Sequence, residues 1–146
     1  MEKKIYGVEA FLNRPKALEE EIQGDLDHIA SLRSIVENRT THLSFTAGRN
    51  PSKNEKAFES VMIQITEEEA ALATKQKRLV ELKLEAEDFI NQLAKKEYRT
   101  FLRLRYISGY GMPEIREIMN LPKTTCFDLQ INALVAAEEK YLHEKY

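Results

Sequence analysis

An apolar repeat of seven residues runs along the middle of the sequence and restricts how this chain can fold. Its six positions are Phe58, Ile65, Leu72, Leu79, Ala86 and Leu93. No glycine or proline lies between Glu55 and Ala94, so the repeat predicts one helix on the order of 60 Å long at about 1.5 Å per residue. Because such a helix exposes an apolar seam, another helix or a second copy of the chain must cover it.

A second apolar stripe, on the N-terminal side of this repeat, predicts that covering helix. Its residues follow one another at steps of three or four positions, as on one face of a helix: Leu18, Ile22, Leu26, Ile29, Leu32 and Val36. Ahead of it we expect a short helix that ends or kinks near Pro15. The polar residues 38–54 have the composition of a flexible loop. Together these patterns predict a long antiparallel hairpin with coiled-coil character, which acts as a dimerisation arm.

Composition narrows the class of protein. Among 146 residues there are only 5 glycines and 4 prolines, which favours long helices over a loop-rich or disordered chain. The formal net charge of −2 excludes a strongly basic nucleic-acid coat. A single cysteine, Cys126, suits a reducing cytoplasm, and we expect an inert thiol on the core side of its helix. No apolar run is long enough for a membrane span, and no signal peptide is apparent.

The last third of the chain has a different pattern. A helix near 96–107 meets the turn residues 108–111, and a short helix follows from Met112 to Met119. Residues 120–122 break the chain before a final helix from about Thr124 to Tyr141. Two helices joined by a short turn form a helix-turn-helix. The predicted fold class is therefore all-α, with a hairpin domain at 1–94 and a helix-turn-helix domain at 95–146.

This C-terminal region resembles the region-four-like domains of sigma factors. The segment FLRLRYISGY at 101–110 is similar to their LxLRYIxGL, and PEIREIMNLPKTTC at 113–126 is similar to their xEIAxxLGISxxTV. Ala133 and Leu134 fall on the family's AL pair. The order of a charged hairpin, a polar loop and this module also resembles small phage-encoded transcriptional regulators of the ArpU and RinA type.

The resemblance implies a function and a set of contact residues. It implies a regulator in the cytoplasm of a bacterial host that binds double-stranded DNA as a homodimer, alone or together with host RNA polymerase. The positions that would read DNA are Lys123, Thr124, Thr125, Phe127, Asp128 and Ile131. The chain departs from the family pattern at Arg116, where the family has a small residue, at Asn120 for the turn glycine, and at Pro122 for the capping serine.

Positive charge is concentrated just before the turn. Lys95, Lys96, Arg99 and Arg103 share one side of the predicted helix, where we expect them to be exposed. This basic stripe is either an ordinary solvated face or a surface for phosphates or an acidic partner. Arg105 lies on the apolar side instead, where we expect an ion pair with Glu114 or Glu117.

The final helix leaves three interpretations open. Its core face is predicted to hold Cys126, Leu129, Ala133, Ala137 and Tyr141. A second apolar face holds Phe127, Ile131, Leu134, Val135 and Leu142. That second face either contacts thymine methyl groups in the major groove, binds a host protein, or packs against the arm or a second subunit. The protein-binding interpretation makes the chain an interaction module that captures or inhibits a host protein.

No motif for catalysis, cofactor binding or metal binding appears in the sequence. It lacks a glycine-rich phosphate loop, a nucleophile elbow and paired catalytic carboxylates. The three histidines, at 28, 42 and 143, are far apart and have no cysteine or carboxylate at ligand spacing. We therefore expect a protein that is not an enzyme and takes no cofactor.

Overall fold

The computed structural model describes residues 6–45 and 51–145, and within them the fold is all-α, without strands. The helices are α1, Tyr6–Phe45; α2, Pro51–Asn91; α3, Lys96–Leu102; α4, Met112–Met119; and α5, Lys123–Lys145. A π-helical turn, Arg103–Ile107, continues α3, and Ser108 N–H donates to the carbonyl of Arg103 at 3.0 Å. The fold class, the hairpin and the succession of a helix, a turn and a helix are confirmed.

Helix α1 continues through Pro15, so the expectation that a short helix ends there is wrong, while a kink at this position stays a prediction. A proline inside a helix leaves the carbonyl four residues earlier without its usual donor. In this chain that carbonyl belongs to Phe11, and Arg14 Nε donates to it at 3.3 Å. The Arg14 guanidinium also lies 4.5 Å from the centre of the Phe11 ring. The neighbouring side chain thus compensates for the missing backbone hydrogen bond.

The loop is shorter than the polar stretch 38–54 suggested. Helix α1 extends to Phe45 and α2 begins at Pro51, while residues 46–50 lie outside the described part of the chain. Polar composition alone does not end a helix, because helices with solvated faces tolerate polar residues.

Contacts divide the chain into two compact units, and α1 and α2 contribute to both. One unit comprises Glu19–Arg78, and the other comprises Met1–Leu18 with Leu79–Tyr146. The C-terminal helices therefore share a core with parts of α1 and α2. The sequence division at residue 94 stays a prediction.

In the Glu19–Arg78 unit, α1 and α2 pack antiparallel through the predicted seam. The buried apolar side chains are Ile22, Ile29, Leu32, Ile65 and Leu72. Glu68 and Lys75 interrupt one side of the seam, and both have partners on α1. Lys75 Nζ lies 2.6 Å from Asp25 Oδ2 and 2.9 Å from Glu21 Oε1, and these carboxylates raise the pKa of Lys75. Glu68 Oε1 lies 3.1 Å from His28 Nε2.

The other unit has a larger core, which combines residues from the start of α1, the end of α2 and all three C-terminal helices. Its buried residues include Val8, Leu12, Ala86, Phe89, Ile90, Phe101, Leu102, Ile115, Leu134 and Ala137. The rings of Phe11, Phe89 and Tyr141 pack against one another, with centroids 5.4 to 6.2 Å apart. These contacts hold α5 against the base of the hairpin helices.

The buried carboxylate of Glu138 caps α1. Glu138 Oε2 accepts a hydrogen bond from Val8 N–H at 2.8 Å, one of the N-terminal donors that have no acceptor within their own helix. The fit is close, since a Cβ atom added to Gly7 would lie 3.2 Å from Glu138 Oε1 and 3.3 Å from Tyr141 Cε1.

Within the residues described, none of the helices is long and apolar enough to cross a membrane.

Candidate nucleic-acid interface

Helix α5 is fixed from one side, which leaves its other side at the surface. It packs on α3 and α4 through Cys126, Ala133 and Ala137, all fully buried, with Leu129 and Tyr141 packed against them. These are the five residues predicted for the core face, so that prediction is confirmed. Cys126 is a free, buried thiol.

The turn before α5 is set by a left-handed residue. Asn120 has φ 55° and ψ 53°, a conformation that asparagine tolerates better than other residues with a side chain. Leu121 N–H donates to the carbonyl of Arg116 at 2.9 Å and so closes the end of α4. Asn120 thus supplies the left-handed conformation that ends α4 and starts the turn.

All six residues predicted to read DNA are exposed on α5. Phe127 is 47% exposed and Ile131 is 56% exposed, and the polar side chains are exposed as well: Lys123, Thr124, Thr125 and Asp128. Residues 124, 127, 128 and 131 lie at steps of three and one, on one side of a helix. These four residues, Thr124, Phe127, Asp128 and Ile131, share one surface, which we call the α5 face. Lys123 and Thr125 flank it.

The second apolar face differs from its prediction at one position. Leu134 is 1% exposed and belongs to the core, since the side of α5 that contacts the other helices extends beyond the five predicted residues. Val135 is half-buried, and Leu142 is exposed near the other end of α5. The free apolar surface is therefore concentrated at Phe127 and Ile131.

The basic stripe is not uniformly exposed, which corrects the expectation for Arg99 and Arg103. Both are half-buried. Arg99 Nη1 donates to the carbonyls of Leu93 at 2.6 Å and Ala94 at 2.9 Å, and Arg103 Nη2 donates to Asn91 Oδ1. The acceptors are the Asn91 side chain at the end of α2 and two carbonyls in the link between α2 and α3, and these oxygens attract the two guanidinium groups.

The two lysines of the stripe remain at the surface. Lys95 and Lys96 are exposed, and Lys95 Nζ lies 5.2 Å from the centre of the Tyr98 ring. The stripe therefore offers two accessible cationic side chains rather than four.

Arg105 does not make the expected ion pair in the described structure. Its Nη1 donates to the carbonyl of Tyr110 at 3.4 Å, while Glu114 accepts from Gly111 N–H at the start of α4. Arg105 and Glu114, one of its two predicted partners, thus each form a hydrogen bond with the backbone of the turn instead of with each other. Tyr106, in the π-helical turn, is buried. Burial raises the pKa of Tyr106 to about 12, and the negative charge of Glu9 also raises this pKa.

Sequence reasoning did not assign Arg116 to the interface. This side chain on α4 is half-buried, and its Nε atom is buried without a hydrogen-bond partner among the described residues. The available signal was its departure from the small residue of the family pattern. Arg116 and Lys123 bracket the turn and add two cationic groups beside the α5 face.

The described residues do not form a metal site. Across the described ranges, no three His, Cys, Asp or Glu residues come together in a way that could hold a metal ion.

Comparison with known proteins gives one family. The model of a family described as "Protein of unknown function (DUF1492)" matches residues 46–138. The match covers α2, α3, α4 and most of α5, including the whole α5 face. No curated protein and no solved structure gave a match.

Proposed function

The chain belongs to the DUF1492 family, and we propose that it is a phage-type transcriptional regulator that binds double-stranded DNA through the α5 face. One observation carries this proposal: the second helix of a helix-turn-helix pair exposes all six predicted contact residues, while the core fixes its opposite side. In such motifs the second helix enters the major groove with its N-terminal residues against the base edges.

The residues of the α5 face suit the chemistry of base edges. The Thr124 hydroxyl can donate to or accept from a base. Phe127 and Ile131 present apolar surface to thymine methyl groups, which lie in the major groove. Because apolar contacts dominate, we expect a preference for A·T-rich sites.

Phosphate contacts require cations, and the structure changes which residues we assign to them. Arg99 and Arg103 are held by oxygens of residues 91, 93 and 94. The remaining candidates are Lys95, Lys96, Arg116 and Lys123. The first helix of a helix-turn-helix crosses the DNA backbone, which suits the position of Arg116 on α4. Phosphate contacts add affinity without reading sequence.

We further propose that the regulator acts as a homodimer in the cytoplasm of a bacterial host, alone or with host RNA polymerase. A dimer doubles the few phosphate contacts available to each copy. It also places two reading helices on two half-sites of an operator.

The test is salt-titrated binding to pooled fragments of host and phage genomes. The wild type should enrich specific fragments, and Thr124→Ala and Phe127→Ala should each weaken specific binding by about 1–3 kcal/mol for each lost base contact. Non-specific binding should change little. Thr74→Ala and Leu142→Ala are matched controls, because both side chains are exposed and neither is among the six predicted contact residues. Absence of enriched fragments at low salt would overturn the proposal.

A protein-binding function is the second candidate, and two observations favour it. Phe127 and Ile131 form an exposed apolar pair next to an acidic residue, Asp128, and two of the four stripe cations are engaged within the chain. Such a face suits capture or inhibition of a host protein. In that case a stoichiometric partner should appear in a pull-down from host lysate and be lost with Phe127→Ala, while weak DNA binding stays unchanged.

A further inference from the structure

The outer side of α2 exposes a second series of apolar residues, distinct from the seam. Met62 is 40% exposed, Ile63 58%, Val80 57% and Leu84 55%. Helix α2 is uninterrupted from Pro51 to Asn91, so helical periodicity alone places these residues on one arc of about 100°. The exposed residues on this arc are Met62, Ile63, Thr66, Ala70, Ala73, Lys77, Val80, Glu81 and Leu84, and we call them the outer face of α2.

The hairpin does not use this face. Ile65 and Leu72 are buried against α1 and lie about a third of a turn around α2 from the centre of the outer face. The solvated back of a two-helix hairpin is expected to be polar, yet between Met62 and Leu84 the outer face carries two charged residues, Lys77 and Glu81, among its nine. A seven-residue spacing at Ile63, Ala70, Lys77 and Leu84 is the period that a second helix would match.

We propose that the outer face of α2 binds the same face of a second copy of this chain, with the two helices antiparallel. The proposal supplies the surface for the homodimer that the proposed function includes, but its test needs no DNA. An antiparallel pair centred between Ala70 and Ala73 sets Ala70 of each copy against Ala73 of the other. Small residues at the centre allow the two helices to approach closely.

Shape supports this alignment. A shallow hollow in the outer face is lined by Met62, Ile63, Thr66 and Glu67. With the alanines centred, Val80 of the second copy lies opposite Ile63 and fills this hollow, as a knob fills a hole in a coiled coil. The same contact occurs twice because the two-fold axis repeats it.

Charge selects the antiparallel orientation. Lys77 and Glu67 have no ion-pair partner among the described residues, although both are exposed on α2. Antiparallel pairing places Lys77 of one copy beside Glu67 of the other. Parallel pairing would place the two Lys77 side chains together, and like charges repel.

The size of the face predicts a modest affinity. About six helical turns on each copy bury less than the roughly 800 Å² per partner of a standard interface. We therefore expect a dimer that dissociates on dilution within the micromolar range.

The test is sedimentation equilibrium of the full chain over a range of concentrations. The wild type should dimerise, and Ala73→Glu, which places a carboxylate at the centre of the face, should weaken the dimer at least about tenfold. Its helical circular dichroism should be unchanged, because residue 73 is exposed. Ala30→Glu, at an exposed position of α1, should dimerise like the wild type. A monomeric wild type, or a dimer unaffected by Ala73→Glu, overturns the proposal.

A charge exchange tests the orientation. Lys77→Glu alone should weaken the dimer, because it faces Glu67 of the other copy. Adding Glu67→Lys to the same chain should restore the wild-type affinity in an antiparallel pair. If the exchanged chain dimerises no better than Lys77→Glu alone, the antiparallel arrangement is wrong.

Discussion

At the scale of single residues, the basic stripe shows what a helical wheel leaves out. The wheel correctly places Lys95, Lys96, Arg99 and Arg103 on one side of α3. It does not show that the end of α2 lies beside that side, where Arg99 donates to two carbonyls and Arg103 donates to Asn91. Replacing these two arginines therefore tests the stability of the fold together with any binding, and it does not isolate phosphate contacts.

Tyr106 supplies a pH-dependent prediction. Its pKa is raised from 10.0 to about 12, chiefly by burial. As the pH rises through this interval, the unfolded chain loses the phenolic proton while the folded chain keeps it. The free energy of unfolding should therefore decrease between about pH 10 and 12, and the contribution is fully present below the lower value.

The measurement is urea unfolding below pH 10 and near pH 11. Because lysines titrate in the same interval, the decrease is compared with that of Tyr106→Phe, in which it should be smaller. Tyr110→Phe is the matched control, since Tyr110 is 42% exposed, and it should show the full wild-type decrease. Equal decreases in both variants would contradict the assignment to Tyr106.

At the scale of helices, the predictable features follow from periodicity. The seven-residue repeat anticipated the buried seam at Ile65, Leu72, Ala86 and Leu93. The bounds of α4 were also predicted, because a proline in the first turn and a left-handed asparagine at the end mark them locally. The continuity of α1 through Pro15 was not predicted. It depends on Arg14, which donates to the Phe11 carbonyl that Pro15 leaves without its usual backbone donor.

The ion pairs of Lys75 with Glu21 and Asp25 give a prediction about how α1 and α2 align. Lys75→Glu should lower the melting temperature, because it places a third carboxylate beside Glu21 and Asp25. Combining it with Asp25→Lys should recover part of the loss by restoring an opposite pair. Lys56→Glu, at an exposed position of α2, should change the melting temperature little.

Thermal unfolding followed by circular dichroism measures all four proteins, at low and high salt. The loss in Lys75→Glu should shrink as salt screens the repulsion. Failure of the double variant to recover any stability would contradict the pairing of residues 25 and 75.

At the scale of the whole molecule, the sequence indicated the elements but not their grouping. The six predicted contact residues on α5 are all exposed, but Leu134, which was predicted on the second apolar face, is buried in the core. The core that fixes α5 was not predicted, since it depends on contacts between the beginning and the end of the chain. Glu138 was not predicted to be buried, yet it is 8% exposed and caps α1.

At this scale we predict the cost of removing the cap of α1, the hydrogen bond from Val8 N–H to the Glu138 carboxylate. Glu138→Ala removes a charge-assisted hydrogen bond and leaves Val8 N–H without a partner, so it should cost about 1.5–3 kcal/mol of unfolding free energy. Glu144→Ala, which removes only an exposed pair with Lys140, should cost less than about 1 kcal/mol. Urea titration compares the two, and equal costs would contradict the capping role.

The bond between Val8 and Glu138 joins residues 130 positions apart, and this separation has a consequence for synthesis on the ribosome. The first turns of α1 leave the exit tunnel well before their partners on α5. Val8, Leu12 and Phe11 therefore keep apolar surface uncovered until α5 has emerged. The Glu19–Arg78 unit contains no residue beyond Arg78, so its internal contacts are available while the rest is still being made. The order of translation thus allows this unit to form before the unit that carries the α5 face.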